Sequence, residues 1–141
     1  MNILIINGPN LNFLGARNTS IYGKESLDEI NEWITKQTQE KEYNLKFFQS
    51  NHEGDIIDMI QNELSWYDGV IINPGALTHY SYSIRDAIES VEKPTIEVHL
   101  TDIFNREPFR KISVISEVCK FTIIGKGKSG YLEAVDRLSK S

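Results

Sequence analysis

Ile3-Leu4-Ile5-Ile6 runs straight into Asn7-Gly8-Pro9-Asn10-Leu11-Asn12, with Arg17 and Tyr22 following before any helical periodicity begins. Four consecutive apolar residues suit a central strand covered on both faces. The polar, glycine-punctuated segment after it is then the loop at the carboxyl end of that strand. In an open parallel α/β sheet ligands bind outside those ends, so the loop is a site candidate, although one such loop taken alone also fits plain solvated surface.

Working outward, strand and helix patterns alternate along the chain. Ser26-Leu27-Asp28-Glu29 matches a capping box, and Leu27, Ile30 and Ile34 repeat at helical spacing behind it. Leu45 to Gln49 reads as a strand, and Ile56, Ile57, Ile60 and Leu64 line a helix. Gly69 to Asn73 is a third strand and His79 to Val91 a third helix. Thr95 to His99 is a fourth strand, a short helix follows around Glu107 to Ile112, and Phe121 to Ile124 precedes a terminal helix capped by Ser129. Such crossovers impose a parallel sheet with helices on both faces. The expected fold is an α/β, flavodoxin-like open sheet of five parallel strands in the order 2-1-3-4-5, forming one domain over residues 1–141.

The 141 residues carry 40% hydrophobic and 25% charged side chains, ordinary for a soluble globular domain and wrong for disorder. No apolar stretch approaches membrane-spanning length and Met1 leads directly into a strand, so a soluble, cytoplasmic protein is expected. A formal net charge of -5 argues against a general nucleic-acid binder. The single cysteine, Cys119, excludes an internal disulfide and any multi-cysteine metal centre.

Three strands end in polar residues on one rim. The first delivers Asn7 and Asn10, the third Asn73-Pro74-Gly75-Ala76, and the fourth Glu97 and His99. Glu97 and His99 are two apart and share a strand face, so a carboxylate can fix the tautomer of an imidazole. A purely structural hydrogen-bonded pair is the bland alternative. His79 and Asp86 are seven apart, close to two helical turns, and Arg106 and Arg110 are four apart. Taken alone, these two pairs read as solvated surface.

Four blocks in order carry a resemblance: Asn7 to Asn12 with Arg17 and Tyr22-Gly23; Gln49-Ser50-Asn51-His52-Glu53-Gly54; Ile72 to Ala76 with Thr78-His79 and Ile84-Arg85-Asp86; and Glu97 to Leu100 with Arg106-Glu107 and Phe109-Arg110. From about Asn2 to Tyr131 the chain resembles the type II 3-dehydroquinate dehydratases of the shikimate pathway. The resemblance implies anti elimination of water from 3-dehydroquinate through an enolate to 3-dehydroshikimate, no metal or organic cofactor, and a homo-oligomeric dodecamer built from trimers. It also implies Tyr22 as base with Arg17 beside it, Asn10 holding a water at the enolate, and His99 as general acid partnered by Glu97. Asn73, His79, Arg106 and Arg110 then match substrate-binding residues, the amides of Leu100 and Thr101 a carboxylate cradle, and Asp86 a residue contributed by a neighbouring subunit.

The chemistry is consistent with these types. A phenol ordinarily has a pKa of about 10 and needs a cation to serve as a base near neutrality. A guanidinium about 4 Å away at an effective dielectric near 20 contributes about 4 kcal/mol, which is the size required. Departures from the family pattern fall beside the assigned groups: Asn18-Thr19 where Glu-Pro is usual, Leu77 and Tyr80 around Thr78-His79, Pro108 and Lys111 around Phe109-Arg110, and the basic Gly125-Lys126-Gly127-Lys128. They bear on rate and affinity. The competing class is a flavodoxin-like binding module without catalysis, for a small molecule such as flavin mononucleotide or as a phospho-receiver. Against it, the loop after the first strand is not a Ser/Thr/Gly-rich phosphate cradle, and Asn7 and Asn73 stand where a receiver needs acidic residues.

Overall fold

The side-chain alternation of the strands divides the core in two. In β1 (Asn2–Asn7), Ile3 and Ile5 face one helical layer while Leu4 and Ile6 face the other, and all four are fully buried. The computed structural model describes residues 1–16 and 18–141. After β1 come a 3-10 turn (Leu11–Phe13), α1 (Thr19–Tyr22), α2 (Leu27–Thr38), β2 (Asn44–Gln49), α3 (Glu53–Asn62) and β3 (Gly69–Asn73). They are followed by a 3-10 segment (Gly75–His79), α4 (Tyr82–Val91), β4 (Thr95–His99), 3-10 turns at Ile103–Asn105, Pro108–Lys111 and Ser116–Val118, β5 (Phe121–Ile124) and α5 (Ser129–Ser139). The sheet is parallel in the order β2-β1-β3-β4-β5, as the sequence implied.

Helices α2 and α5 cover one face, where Leu27, Ile30, Ile34, Tyr131, Ala134 and Leu138 meet Ile3, Ile5, Ile71, Ile96 and Val98. Helices α3 and α4 cover the other, with Ile56, Ile60, Ile84 and Ile88 against Leu4, Ile6, Val70 and Ile72. Burying one such aliphatic side chain contributes roughly 1.5–3 kcal/mol, so the two layers supply the driving force that holds the strand ends in register.

Local expectations are met at α2, where Ser26 accepts from Glu29 N and Glu29 reaches back to Ser26 N. Three differ. The helix expected over His79–Val91 begins only at Tyr82, because Ser81 caps it through Ile84 N, and His79 ends a separate 3-10 segment. Leu64 lies beyond the end of α3 and is exposed, so the apolar repeat outran the helix. Ser129 is the first residue of α5 rather than its cap, and its hydroxyl donates to the Lys126 carbonyl. The short helix α1 has no amphipathic repeat to announce it.

Two glycines bring the loops after β1 and β3 together. A Cβ on Gly8 would stand 2.5 Å from the Pro74 carbonyl oxygen, and one on Gly75 would stand 2.9 Å from the Pro9 carbonyl oxygen. Gly75 also has φ +60, a left-handed conformation that side chains disfavour. Gly8 N donates to the Asn73 carbonyl at 2.8 Å, so these residues weld the two strand ends that carry the site.

Candidate active site

The carboxyl ends of β1, β3 and β4 open into one cavity of about 110 Å³. Asn10, Tyr22, Asn73, His79, His99, Leu100, Thr101, Arg106 and Arg110 all line it, so nine residues proposed from sequence converge, seven for their side chains and Leu100 and Thr101 for their amides. Glu97 is fully buried behind His99, Asp86 is exposed on α4 away from this cavity, and Arg17 lies outside the described residues.

Tyr22 is half-buried at the end of α1. Its phenol oxygen accepts from Arg106 Nη1 at 2.6 Å, and the guanidinium carbon stands 5.3 Å from the ring centroid. The guanidinium is thus a charged donor in direct contact with the phenol oxygen. The 3-10 turns at Ile103–Asn105 and Pro108–Lys111 bracket Arg106 and carry Arg110 to the same cavity. Asp102 starts the first turn by accepting from Phe104 N. Arg110 donates to Glu107 and stacks 4.7 Å from the Phe109 centroid.

On β4, Glu97 and His99 share a face and Val98 packs on the other, as their spacing demands. His99 Nε2 meets Glu97 Oε2 at 2.5 Å. An ionised carboxylate only accepts, so Nε2 carries a hydrogen and Nδ1 is left for the cavity. Burial pushes the Glu97 carboxyl up, but hydrogen bonds from His99, Thr78 and Ser113 together with the charge of His99 outweigh it and hold the group below its ordinary value. Glu97 therefore stays ionised.

His79 Nδ1 donates to the Ile112 carbonyl at 2.7 Å, leaving Nε2 as an acceptor on the neutral ring. Burial lowers its proton affinity, the charges of His99 and Arg110 lower it further, and the Ile112 carbonyl and Glu97 only partly oppose this. The Phe109 ring meets it edge-on, 5.5 Å between centroids. His79 thus presents a neutral imidazole.

Asn73 is buried at the floor. Its Oδ1 accepts from Gly75 N at 3.2 Å and its Nδ2 donates to the Tyr131 hydroxyl at 3.3 Å. Tyr131 in turn donates to Asn7 Oδ1 at 2.5 Å. Burial pushes the Tyr131 phenol up to about 12, so it remains a neutral strut. Sequence reasoning missed Tyr131, whose apolar helix context reads as core. It also missed Ser113 and Thr122, both of which donate to Glu97, because isolated hydroxyls leave no periodic or motif signal.

The family model described as dehydroquinase class II matches residues 1–139. The chain belongs to the class II dehydroquinase family. It is 52% identical over 139 residues to the 3-dehydroquinate dehydratase of Caldicellulosiruptor saccharolyticus, covering 98% of this chain and 96% of that one. With the 3-dehydroquinate dehydratase of Bacillus subtilis it shares 48% over 132 residues, 94% of this chain and 89% of the relative. The crystal structure of type II dehydroquinase from Butyrivibrio crossotus superposes with a TM-score of 0.96 at 50% identity, covering 99% of this chain and 97% of that one. Within the class II dehydroquinase framework, the rim identified from the strand ends is the place where Tyr22, the carboxylate-backed His99, Arg106 and Arg110 meet.

Proposed function

We propose that the cavity at the ends of β1, β3 and β4 dehydrates 3-dehydroquinate with Tyr22 as base and His99 as acid. The chain is a hydro-lyase of the shikimate pathway, acting on 3-dehydroquinate. The observation that carries the residue roles is the Arg106 to Tyr22 contact, facing a carboxylate-backed His99 across the same cavity.

In the proposed sequence the Tyr22 phenolate takes the proton alpha to the substrate ketone, and the electron pair moves onto the ketone oxygen as an enolate. Asn10 positions the donor that meets this charge. The enolate pair then returns to form the ring double bond, the carbon–oxygen bond of the leaving hydroxyl breaks, and the His99 imidazolium supplies its Nδ1 proton to release water. Its Nε2 proton remains on the Glu97 side throughout. Exchange with solvent resets the pair by moving a proton from Tyr22 back to His99. Each proton has a named side chain, so the scheme calls on no metal or cofactor.

Asn73, neutral His79, Arg106 and Arg110 suit the substrate hydroxyls and carboxylate, with the amides of Leu100 and Thr101 at the turn after β4 as the carboxylate cradle. Arg17 is proposed as a second cation for the phenolate. Residues 1–141 act as one catalytic domain in this reading. Because Asp86 is exposed and does not line its own chain's cavity, any role for it at a site requires a neighbouring protomer, which fits a homo-oligomer; a dodecamer built from trimers is the assembly the family resemblance implies. Among the described residues no helix is long and apolar enough to cross a membrane, in keeping with a proposed cytoplasmic location. The test is direct: purified protein with 3-dehydroquinate should produce the ultraviolet absorbance of a conjugated enone. Loss of that signal in Tyr22→Phe and in His99→Ala supports the assignment, and retained turnover in either rejects it.

A further inference from the structure

Behind His99, Glu97 sits in a cage of hydroxyls drawn from three separate parts of the chain. Thr78 Oγ1 donates to Oε2 at 2.7 Å, Ser113 Oγ lies 2.9 Å from each carboxylate oxygen, and Thr122 Oγ1 donates to Oε1 at 3.4 Å. Ser116 N donates to Ser113 Oγ at 3.2 Å, which engages the acceptor side of that hydroxyl and turns its hydrogen toward Glu97. Together with His99 Nε2, four donors surround two oxygens, the full capacity of an ionised carboxylate.

The segment carrying Ser113 does more than reach Glu97. Ile112 accepts from His79, Val114 N donates to the Thr78 carbonyl at 2.8 Å, and the Val114 carbonyl accepts from Arg85 Nη1. Three consecutive residues therefore hold the neutral histidine, the acid's carboxylate and the loop after β3 in one register.

We infer that Ser113 and Thr78 are positioning residues that set the acid strength of His99, by occupying the lone pairs of Glu97 so that its hold on the imidazolium is limited. The inference rests on His99 being the acid of the proposed reaction. A carboxylate with only His99 as partner concentrates its charge on that one proton and makes the imidazolium a reluctant donor. Spreading the same charge over two or three hydroxyl hydrogens weakens that hold while keeping the carboxylate ionised and the ring oriented. Among the described residues, the other titratable or charged groups near the pair are His79, with Arg110 beyond it, and Cys119, with Tyr22 and Arg106 on the same cavity as His99. His79 is neutral for the reasons given above, and burial pushes the Cys119 thiol up so that it too carries no charge. Of the groups bonded directly to Glu97, the hydroxyls are the neutral ones that share its charge with His99.

The experiment follows the ring resonances of His99 by NMR during a pH titration without substrate, alongside the pH dependence of kcat. In Ser113→Ala and in Thr78→Val, the His99 titration should move to higher pH, the limb of kcat governed by the acid should move with it, and kcat should fall several-fold with KM little changed. Ser113→Thr, which restores a hydroxyl, should bring both back toward wild type. Thermal unfolding confirms that each variant is folded, and if Ser113→Ala is not, Ser113→Cys gives the same direction to a smaller extent. A drop in kcat and a rise in KM with no movement of the His99 titration would mean a structural role only and overturn the inference. Because the NMR titration needs no turnover, it separates this outcome from failure of the catalytic assignment, which would appear as unchanged kcat when His99 itself is replaced.

Discussion

Arg106 and Tyr22 are 84 positions apart in the chain, yet Nη1 of the arginine donates to the phenol oxygen at 2.6 Å. The contact ties the turn after β4 to α1 at one wall of the cavity, and it places a cation beside the group proposed as the base. With Tyr22 as the proposed base, Tyr22→Phe should lower kcat by at least about 10²-fold, within the range that general-base catalysis supplies. Circular dichroism should be unchanged, since Tyr22 is only partly buried. A variant with a tenth of wild-type turnover would falsify the assignment.

Arg106→Lys should be costly despite conserving charge. Lysine lacks the planar fork that lets one guanidinium both donate to the phenol oxygen and lie over its ring. The expected loss is about 10-fold or more in kcat/KM. Steady-state kinetics decide it, and a near-neutral effect would transfer the role of phenolate partner to Arg17.

Glu97 is a buried contributor to the pH dependence of stability. Its folded pKa lies below the ordinary value of 4.5, so the folded state binds this proton less readily than the unfolded chain. The resulting stabilisation is complete above that ordinary value and is lost as the pH falls through the lower folded one. Glu97→Gln should be less stable at neutral pH, by about 1–3 kcal/mol for a buried network left mismatched, and its unfolding free energy should fall less steeply below pH 4.5. Urea titrations across that window measure both, and equal slopes for wild type and variant would contradict the account.

Much of this was legible beforehand because it is written in short-range pattern. β1 announced itself by unbroken apolar residues, α2 by its capping box, and the rim by polar residues at the ends of three strands. The Glu97–His99 pair followed from the period of two. What was not legible depends on long-range geometry. The sequence pointed to Arg17, which lies outside the described residues, as the cation beside Tyr22 and gave no signal for Arg106, whose reach is set by two 3-10 turns without a periodic signature. Ser81 intercepted the helix expected from His79, so the supposed common face of His79 and Asp86 does not exist, and the hydroxyls around Glu97 come from segments that only the folded sheet brings together.

Two glycine positions separate crowding from conformation. Gly8→Ala drives a Cβ into the Pro74 carbonyl at 2.5 Å, where backbone meets backbone and neither can rotate away. Gly23→Ala is strained by its φ of +85 but meets nothing within 4 Å. That conformation, with ψ of 179, is essentially confined to glycine and costs a side chain about 1–3 kcal/mol. The clash at Gly8 should cost at least as much and should also raise KM, because it separates the loops of β1 and β3 that line the cavity. Thermal melts and substrate titrations on both variants give the comparison, and equal KM values would show that the two loops tolerate separation.

Asp86 provides the test of assembly. It stands on α4 four residues after exposed Tyr82, on the same exposed helix face and away from the cavity of its own chain. If it serves a neighbouring protomer, Tyr22→Phe and Asp86→Ala are each inactive for different reasons and can complement one another. In a mixed assembly refolded from equal amounts of the two, a site is complete when it draws Tyr22 from an Asp86→Ala chain and Asp86 from a Tyr22→Phe chain. Random mixing makes that so for about one quarter of sites. Activity near that fraction of wild type, appearing only after the two variants are mixed and reassembled, is the expected result, with mass followed by light scattering. If Asp86 acted within its own chain, no mixed site could be whole, and the mixture would stay as inactive as its components.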